Sequence, residues 1–297
     1  MAVDYKKKDV AFYYIYKALA HPENSGYVQP FTLQERLLHV AEAKRTLGTG
    51  IDWLCDNMQN QLKQALGGAP NSQFVIDPDG TIISATAWSN PAELRNTLTK
   101  LVGKVSPATT VEDLGLKQLP PPRLAATGVV IRPAMPGPMR AVTVKPQPSL
   151  EPYYVKLRVE VDSGFMLDGL GWMYVGFHLD PLLDVHWNNL APPLEFKIKT
   201  PAGLCVASSR ARAPIIKEDA DADPREFLLG LEWDPRVLTA ADFSQAEMIL
   251  EVDYYACHDE GWCRSFHQTY HIQLVPDRNA GSVRSRGRPN GMGARNR

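Results

Sequence analysis

The sequence predicts two unlike domains, an α/β domain followed by an all-β sandwich, and three observations carry that expectation. Its 297 residues exceed the roughly 100–200 residues of one typical core. The apolar pattern alternates between helix and strand periods over residues 1–104, then shows strand signals alone over 151–276. Between them, residues 105–150 hold Pro120-Pro121-Pro122, Pro133, Pro136, Pro138 and Pro146, a density that denies helix interiors and sheet ladders and marks an extended connector.

In the first domain, residues 10–16 form a continuous aromatic-rich run, as expected of a central strand covered on both faces. Thr32-Leu-Gln-Glu35 has capping-box spacing, and Leu33, Leu37, Leu38, Ala41 and Leu47 recur at helical intervals until Gly48; a helix over 32–47 follows. Residues 51–55 read as a short strand, 60–66 as a turn or two of helix and 73–77 as a third strand. Pro78-Asp79-Gly80 supplies turn chemistry to a hairpin partner at 81–84. Pro91 opens a last helix with Leu94, Leu98, Leu101 and Val102 on one face. Cys55, a lone thiol at a strand end, reads as a small buried hydrophobe.

This order of strand, helix, strand, helix, hairpin and helix is the later part of a thioredoxin-like α/β fold. Successive blocks sharpen it: Tyr16 with Ala20-His21-Pro22 and Gly26, then Leu33-Gln-Glu-Arg36, Asp56-Asn-Met-Gln-Asn60, Ala69-Pro70, Phe74-Val-Ile76 and Asp79-Gly80. On these blocks residues 5–103 resemble the deiodinase-like redoxins. The resemblance implies a nucleophilic selenocysteine or cysteine on a strand-to-helix turn upstream of the first strand. Nine residues precede Val10, whereas a strand, loop and helix need on the order of 30. The domain is therefore expected to be incomplete at its N-terminus, either because the sequence starts late or because a redoxin remnant serves as scaffold. Deiodination is not expected. The resemblance makes His21 a proton donor beside the missing nucleophile, while the residues alone read it as a loop histidine bonded to backbone.

In the second domain Tyr153, Val155, Leu157, Val159 and Val161 alternate, the period of a strand with one buried side. Strand signals recur at 173–179, 194–198, 225–231, 248–255 and 266–274, joined by Pro, Gly and Asp turns. Six or more short strands in this length predict an antiparallel sandwich of immunoglobulin-like size. Within the connector, 129–131 is a candidate edge strand and 110–114 a single helical turn.

The chemistry lies between the last two strands, in Tyr255-Ala-Cys257-His-Asp-Glu-Gly-Trp-Cys263. A strand, Cys, a polar turn with Gly261, Cys and a strand make a hairpin whose thiols can reach the roughly 5.5 Å Cα separation of a disulfide. With Val175-Gly-Phe-His-Leu179 and Val185-His-Trp-Asn188 upstream, residues 150–276 resemble the N-terminal immunoglobulin-like domain of the thiol:disulfide interchange protein DsbD. That resemblance implies electron transfer through Cys257 and Cys263 to partners that are thioredoxin-like or otherwise carry disulfides, with no cofactor. One thiolate attacks a partner disulfide and the other resolves the mixed disulfide; the residues leave the attacker open. His258, Asp259 and Glu260 lie between the cysteines with opposing effects on their acidity. Trp262 and Phe266 are candidate caps over the pair, or ordinary packing. Three other readings stand beside this one: an inert structural disulfide, a non-catalytic adaptor that uses both domains for contacts, and a metal site of Cys257, Cys263, His267 and His271. Cys205 reads as a buried or half-buried free thiol.

Composition removes other classes. Lys+Arg 32 against Asp+Glu 33 leaves net charge -1, and the arginines concentrated in 277–297 sit among Gly, Ser and Asn, as in a disordered basic tail; no nucleic-acid partner is expected. No apolar run of about 18 residues occurs and no apolar region follows Lys6, Lys7 and Lys8, so neither a membrane segment nor a signal peptide is read. A periplasmic or extracytoplasmic setting is expected if the natural protein starts upstream.

Overall fold

The computed structural model describes residues 1–19, 22, 26–117, 119–120, 127–237 and 245–277. His21 and the tail from residue 278 lie outside the described residues. The chain divides into two units, Met1–Ala20 with Thr32–Pro121, and His21–Phe31 with Pro122–Arg297.

The first unit runs α1 (Ala2–Lys6), β1 (Tyr13–Tyr16), α2 (Leu33–Leu47), β2 (Asp52–Cys55), α3 (Gln61–Leu66), β3 (Gln73–Ile76), β4 (Ile82–Thr86), α4 (Pro91–Val102) and α5 (Val111–Leu114). Thr32 and Glu35 close the expected capping box, and Gly48 ends α2 in the left-handed region. β1 and β2 pair in parallel while β3 and β4 form an antiparallel hairpin, as two separate sheets. The expectation of a covered central strand is corrected here, because Tyr13, Tyr14 and Ile15 are exposed. The apolar stripe of α2 also faces outward at Leu33, Leu37 and Leu38; its buried side is Glu35, Arg36, His39 and Val40. Arg36 accounts for this, since its Nη1 donates to the carbonyls of Asp56 (3.0 Å) and Asn57 (2.5 Å) after β2. Those bonds let a guanidinium occupy a core position. Asp56 in turn accepts from the backbone N–H groups of Leu62 and Lys63 at the start of α3, which caps that helix.

The second unit contains β5 (Met139–Pro146), β6 (Val155–Asp162), α6 (Phe165–Asp168), β7 (Leu170–Leu179), β8 (Val185–Asn188), β9 (Glu195–Lys199), β10 (Leu204–Val206), β11 (Arg210–Arg212), β12 (Ala220–Asp221), β13 (Arg225–Trp233), β14 (Glu247–His258) and β15 (Trp262–Pro276). One face of the sandwich is β10-β13-β7-β6-β5, and the other is built on β5-β15-β14 with β8 and β9 both pairing β14. β5 belongs to both: Met139, Arg140 and Ala141 pair with β6, and Val142 onward with β15, with a register shift between Gln273 and Pro276. A strand that changes sheets turns the corner of a sandwich. The stretch 139–146, read from its prolines as connector, is thus a strand, because Pro146 ends it and Pro138 precedes it. Phe177, Phe196 and Phe227 meet across the two inner faces at 4.9–6.2 Å between ring centres.

β6 does not have one wet side. Val155, Leu157, Val159 and Val161 face the core, yet Lys156, Arg158 and Glu160 on the other side are buried too. Phe31 lies under the Lys156 ammonium (5.5 Å to the ring centre) and edge-on to Tyr153, while Lys156 faces Asp180 and Arg158 bonds Glu160. Residues 129–131 are not the edge strand expected; Gly128, Val129 and Val130 are held by a side chain instead. Their three backbone N–H groups converge on the Asp223 carboxylate (2.8, 2.6 and 2.9 Å), and Arg132 grips Glu226 with two bonds of 2.6 Å.

Burial pushes the Glu226 carboxyl up, but hydrogen bonds from Arg132 and Tyr174 outweigh it and hold the group below its ordinary value. A carboxylate with a depressed folded value stabilises above its unfolded value and loses that contribution as pH falls. Glu226→Gln is expected to cost about 1.5–3 kcal/mol at neutral pH, and the gap to the parent should close on acidification through the folded value. Urea midpoints measured at several pH values check this.

Candidate functional site

β14 and β15 pair without a break from Glu247 opposite Gln273 to His258 opposite Trp262. Cys257 and Cys263 are directly opposite on this ladder, joined as a disulfide with Cα atoms 4.0 Å apart. The ladder runs one pair beyond the cysteines, so the turn is only Asp259, Glu260 and Gly261. Gly261 has φ +103°, a conformation open mainly to glycine.

Strand alternation then sorts the neighbours. Tyr254 and Ala256 on β14 and Phe266 and Tyr270 on β15 point into the core, so Cys257 and Cys263 stand on the opposite, outer face. On β8, Val185 and Trp187 are core residues, and His186 pairs with Cys257. Cys263, Cys257 and His186 therefore form one row across three strands. Cys257 is 7% exposed and Cys263 is exposed. His186 is half-buried, and its Nδ1 lies 3.2 Å from Asp259 Oδ1. Since an ionised carboxylate only accepts, Nδ1 carries the hydrogen. The Asp259 backbone N–H donates to the Asp184 carbonyl (3.2 Å), which ties the turn to the residue just before β8.

The residues singled out between the cysteines lie elsewhere. His258 and Trp262 are the next pair on the ladder and so occupy the face away from the disulfide. Their rings stack at 5.4 Å, and the Glu260 N–H donates to His258 Nδ1 (3.0 Å). Trp262 packs edge-on against Tyr154 at 5.3 Å, and Phe266 stacks on Tyr254 at 5.1 Å. The expectation that Trp262 and Phe266 cap the sulfurs is corrected: both rings pack with the core, because residues of opposite parity on a strand face opposite ways. His186 is the residue that sequence reasoning missed at this site. The signal was present, since in Val185-His-Trp-Asn188 two apolar residues at alternate positions put the histidine on the outer face.

Elsewhere, the Cys55 thiol is half-buried and pushed up from its ordinary value by burial, with Arg36 opposing. Cys205 is exposed rather than half-buried, because it sits on the outward side of β10 opposite Glu232. His267 and His271 are solvent-side partners of Asp253 (2.7 Å) and Glu247 (2.9 Å). Among the described residues no group of three or more His, Cys, Asp or Glu side chains could hold a metal ion, and no helix is long and apolar enough to cross a membrane. Comparison with family models, curated proteins and solved structures finds no match to this chain.

Proposed function

We propose that the second unit carries out thiol–disulfide exchange, passing electrons to or from partner proteins through the Cys257/Cys263 pair. The observation that carries this reading is the asymmetry of the disulfide, with Cys257 buried and Cys263 exposed on the outer face of the sheet. The bridge also joins two strands that the ladder already holds. In the chain-entropy account, so short a loop stabilises at the low end, about 2 kcal/mol.

In the reductive direction a partner thiolate attacks Cys263 Sγ. The Cys257–Cys263 bond breaks, a mixed disulfide forms at Cys263, and Cys257 leaves as the thiolate. The partner's second thiolate then attacks its own sulfur in the mixed disulfide and frees Cys263. Two electrons and two protons pass from the partner dithiol to the pair, and no cofactor is required. Disulfide-bearing partners of thioredoxin-like type fit this chemistry, as does kinship of the unit with the N-terminal immunoglobulin-like domain of DsbD. The first unit we read as a thioredoxin-like domain of the deiodinase-like redoxin kind, incomplete at its N-terminus. The parallel β1–β2 pair joined by α2, followed by a hairpin and α4, supports that reading.

Equilibration of the full chain with glutathione buffers, read by peptide mapping of residues 257 and 263, tests the exchange role. A midpoint potential above about −300 mV is expected; a value well below it marks a structural bridge and sinks the proposal.

A further inference from the structure

Opening a disulfide leaves a thiolate on whichever sulfur is not attacked, and the rate and the equilibrium depend on how that charge is received. In this protein the sulfur left behind is that of Cys257, which is almost covered. Its surroundings on the outer face follow from the ladder. Cys263 is opposite on β15, Tyr255 lies two residues before it on β14 and Asp259 two residues after, and His186 is opposite on β8. Directly opposed side chains have Cβ atoms about 4.5–5.5 Å apart, which brings an imidazole within reach of the sulfur directly or through one water.

We propose that His186, oriented by Asp259, is the group that receives the Cys257 thiolate, giving it a proton or a charged hydrogen bond when the disulfide opens. The inference rests on the exchange reading above and adds to it a residue that lies 71 positions away in the chain. Two features single out His186 from the other histidines. Its Nδ1 is engaged by the Asp259 carboxylate, and among the described residues Nε2 has no hydrogen-bond partner. A carboxylate on one ring nitrogen fixes the ring and the tautomer. The second feature is parity: His258 is adjacent to Cys257 in sequence but is held on the other face against Trp262, with Nδ1 accepting from Glu260. His267 shares the outer face but belongs to Asp253 further along the sheet.

The balance of the step is simple. The partner thiolate contributes an electron pair to the new bond at Cys263 Sγ. The pair of the broken bond goes to Cys257 Sγ, and the proton that His186 carries on Nε2 in its imidazolium form moves to it or bridges it; on full transfer the neutral ring remains with its hydrogen on Nδ1. In the oxidative direction His186 takes that proton back as Cys257 attacks the mixed disulfide at Cys263. Because the histidine stabilises the reduced form, it makes the pair easier to reduce.

The test uses the full 297-residue chain with dithiothreitol as dithiol and glutathione as redox buffer. His186→Gln is expected to slow reduction about tenfold and to shift the glutathione equilibrium about tenfold toward the disulfide, the size of one lost charged hydrogen bond. Asp259→Asn, acting only through the orientation of the ring and mostly exposed, should change both by about two- to threefold. His186→Lys, which restores a cation, should recover part of the equilibrium shift. In a Cys257→Ser background, His186→Gln should leave the rate of mixed-disulfide formation at Cys263 unchanged, since no thiolate is then released beside it. A merely structural role would lower thermal stability without moving the equilibrium constant. If wild type exchanges normally and both the Gln and Asn variants match it in rate and equilibrium, the inference about His186 is overturned while the exchange reading stands. If wild type itself is not reduced by dithiothreitol, the exchange reading fails first.

Discussion

Arg225→Met is expected to destabilise the second unit by about 3–5 kcal/mol, the cost of stranding a buried charge. The Arg225 guanidinium and the Asp221 carboxylate are both buried and meet in two bonds, 2.9 and 2.7 Å. Arg225 also donates to the Asp223 carbonyl and to Asn189 Oδ1, and lies over the Trp187 ring at 4.8 Å. Burial pushes the Asp221 carboxyl up, but bonds from Arg225 and Asn189 overcome it and hold the group below its ordinary value. Without the guanidinium the burial effect is left unopposed by a cation, so the carboxyl should move above the ordinary carboxylate range. The variant's deficit should then shrink as pH falls and Asp221 takes up a proton. Asp221→Asn in the same background should recover stability at neutral pH, because it removes the stranded charge. The network has a functional consequence as well. It anchors Trp187 from the core side, with the indole N–H bonded to the Asp223 carbonyl at 2.7 Å, and Trp187 is the residue after His186. Urea unfolding across pH, with glutathione exchange measured in parallel, checks both effects. An Arg225→Met chain as stable as its parent would show that the pair contributes nothing net to the fold.

What the sequence disclosed about this molecule follows the range of the interactions involved. The hairpin of β14 and β15 was legible because its two alternating runs and its turn lie within one short stretch, and the pairing of Cys257 with Cys263 needs only local geometry. The elements of the first unit were likewise legible one by one, since the capping box at Thr32, the helix-opening Pro91 and the turn at Asp79-Gly80 are local signals. Their arrangement was not. Which side of α2 is buried depends on carbonyls beyond β2 that satisfy Arg36, and an apolar stripe at Leu33 and Leu37 gives no hint of that. β5 was hidden by prolines at its borders, and its role as the strand shared by both sheets is set by partners on β6 and β15. The neighbourhood of the disulfide shows the same limit. Adjacency to the cysteines in sequence does not give adjacency in space, because the ladder sends His258 and Trp262 to the other face and brings His186 from β8. Parity along a strand is readable from sequence; which strands lie side by side is not.

The two cysteines should differ sharply in reactivity, and this is the largest functional effect expected. Cys263 is exposed at the start of β15, one pair from the turn, whereas Cys257 is 7% exposed between β15 and β8. Thiol–disulfide exchange needs the attacking sulfur in line with the bond being broken, so access to a sulfur sets the rate as much as its charge does. In Cys257→Ser the remaining thiolate at 263 should attack dithiobis(nitrobenzoate) or oxidised glutathione, release one half as the free thiolate and keep the other as a stable mixed disulfide, because no second thiol stands opposite to resolve it. In Cys263→Ser the thiol at 257 should react at least about tenfold more slowly, since reagents must pass the serine at 263, the Tyr255 side chain and the His186 ring. Unfolding both variants in urea supplies the control, because the difference should vanish once the ladder is gone. Cys55 and Cys205 are present in both variants, so the comparison is made by mass spectrometry of the peptides that contain 257 and 263. Equal rates at the two positions in the folded chains would overturn the assignment of Cys263 as the sulfur that partners attack, and with it the direction in which charge is delivered to Cys257.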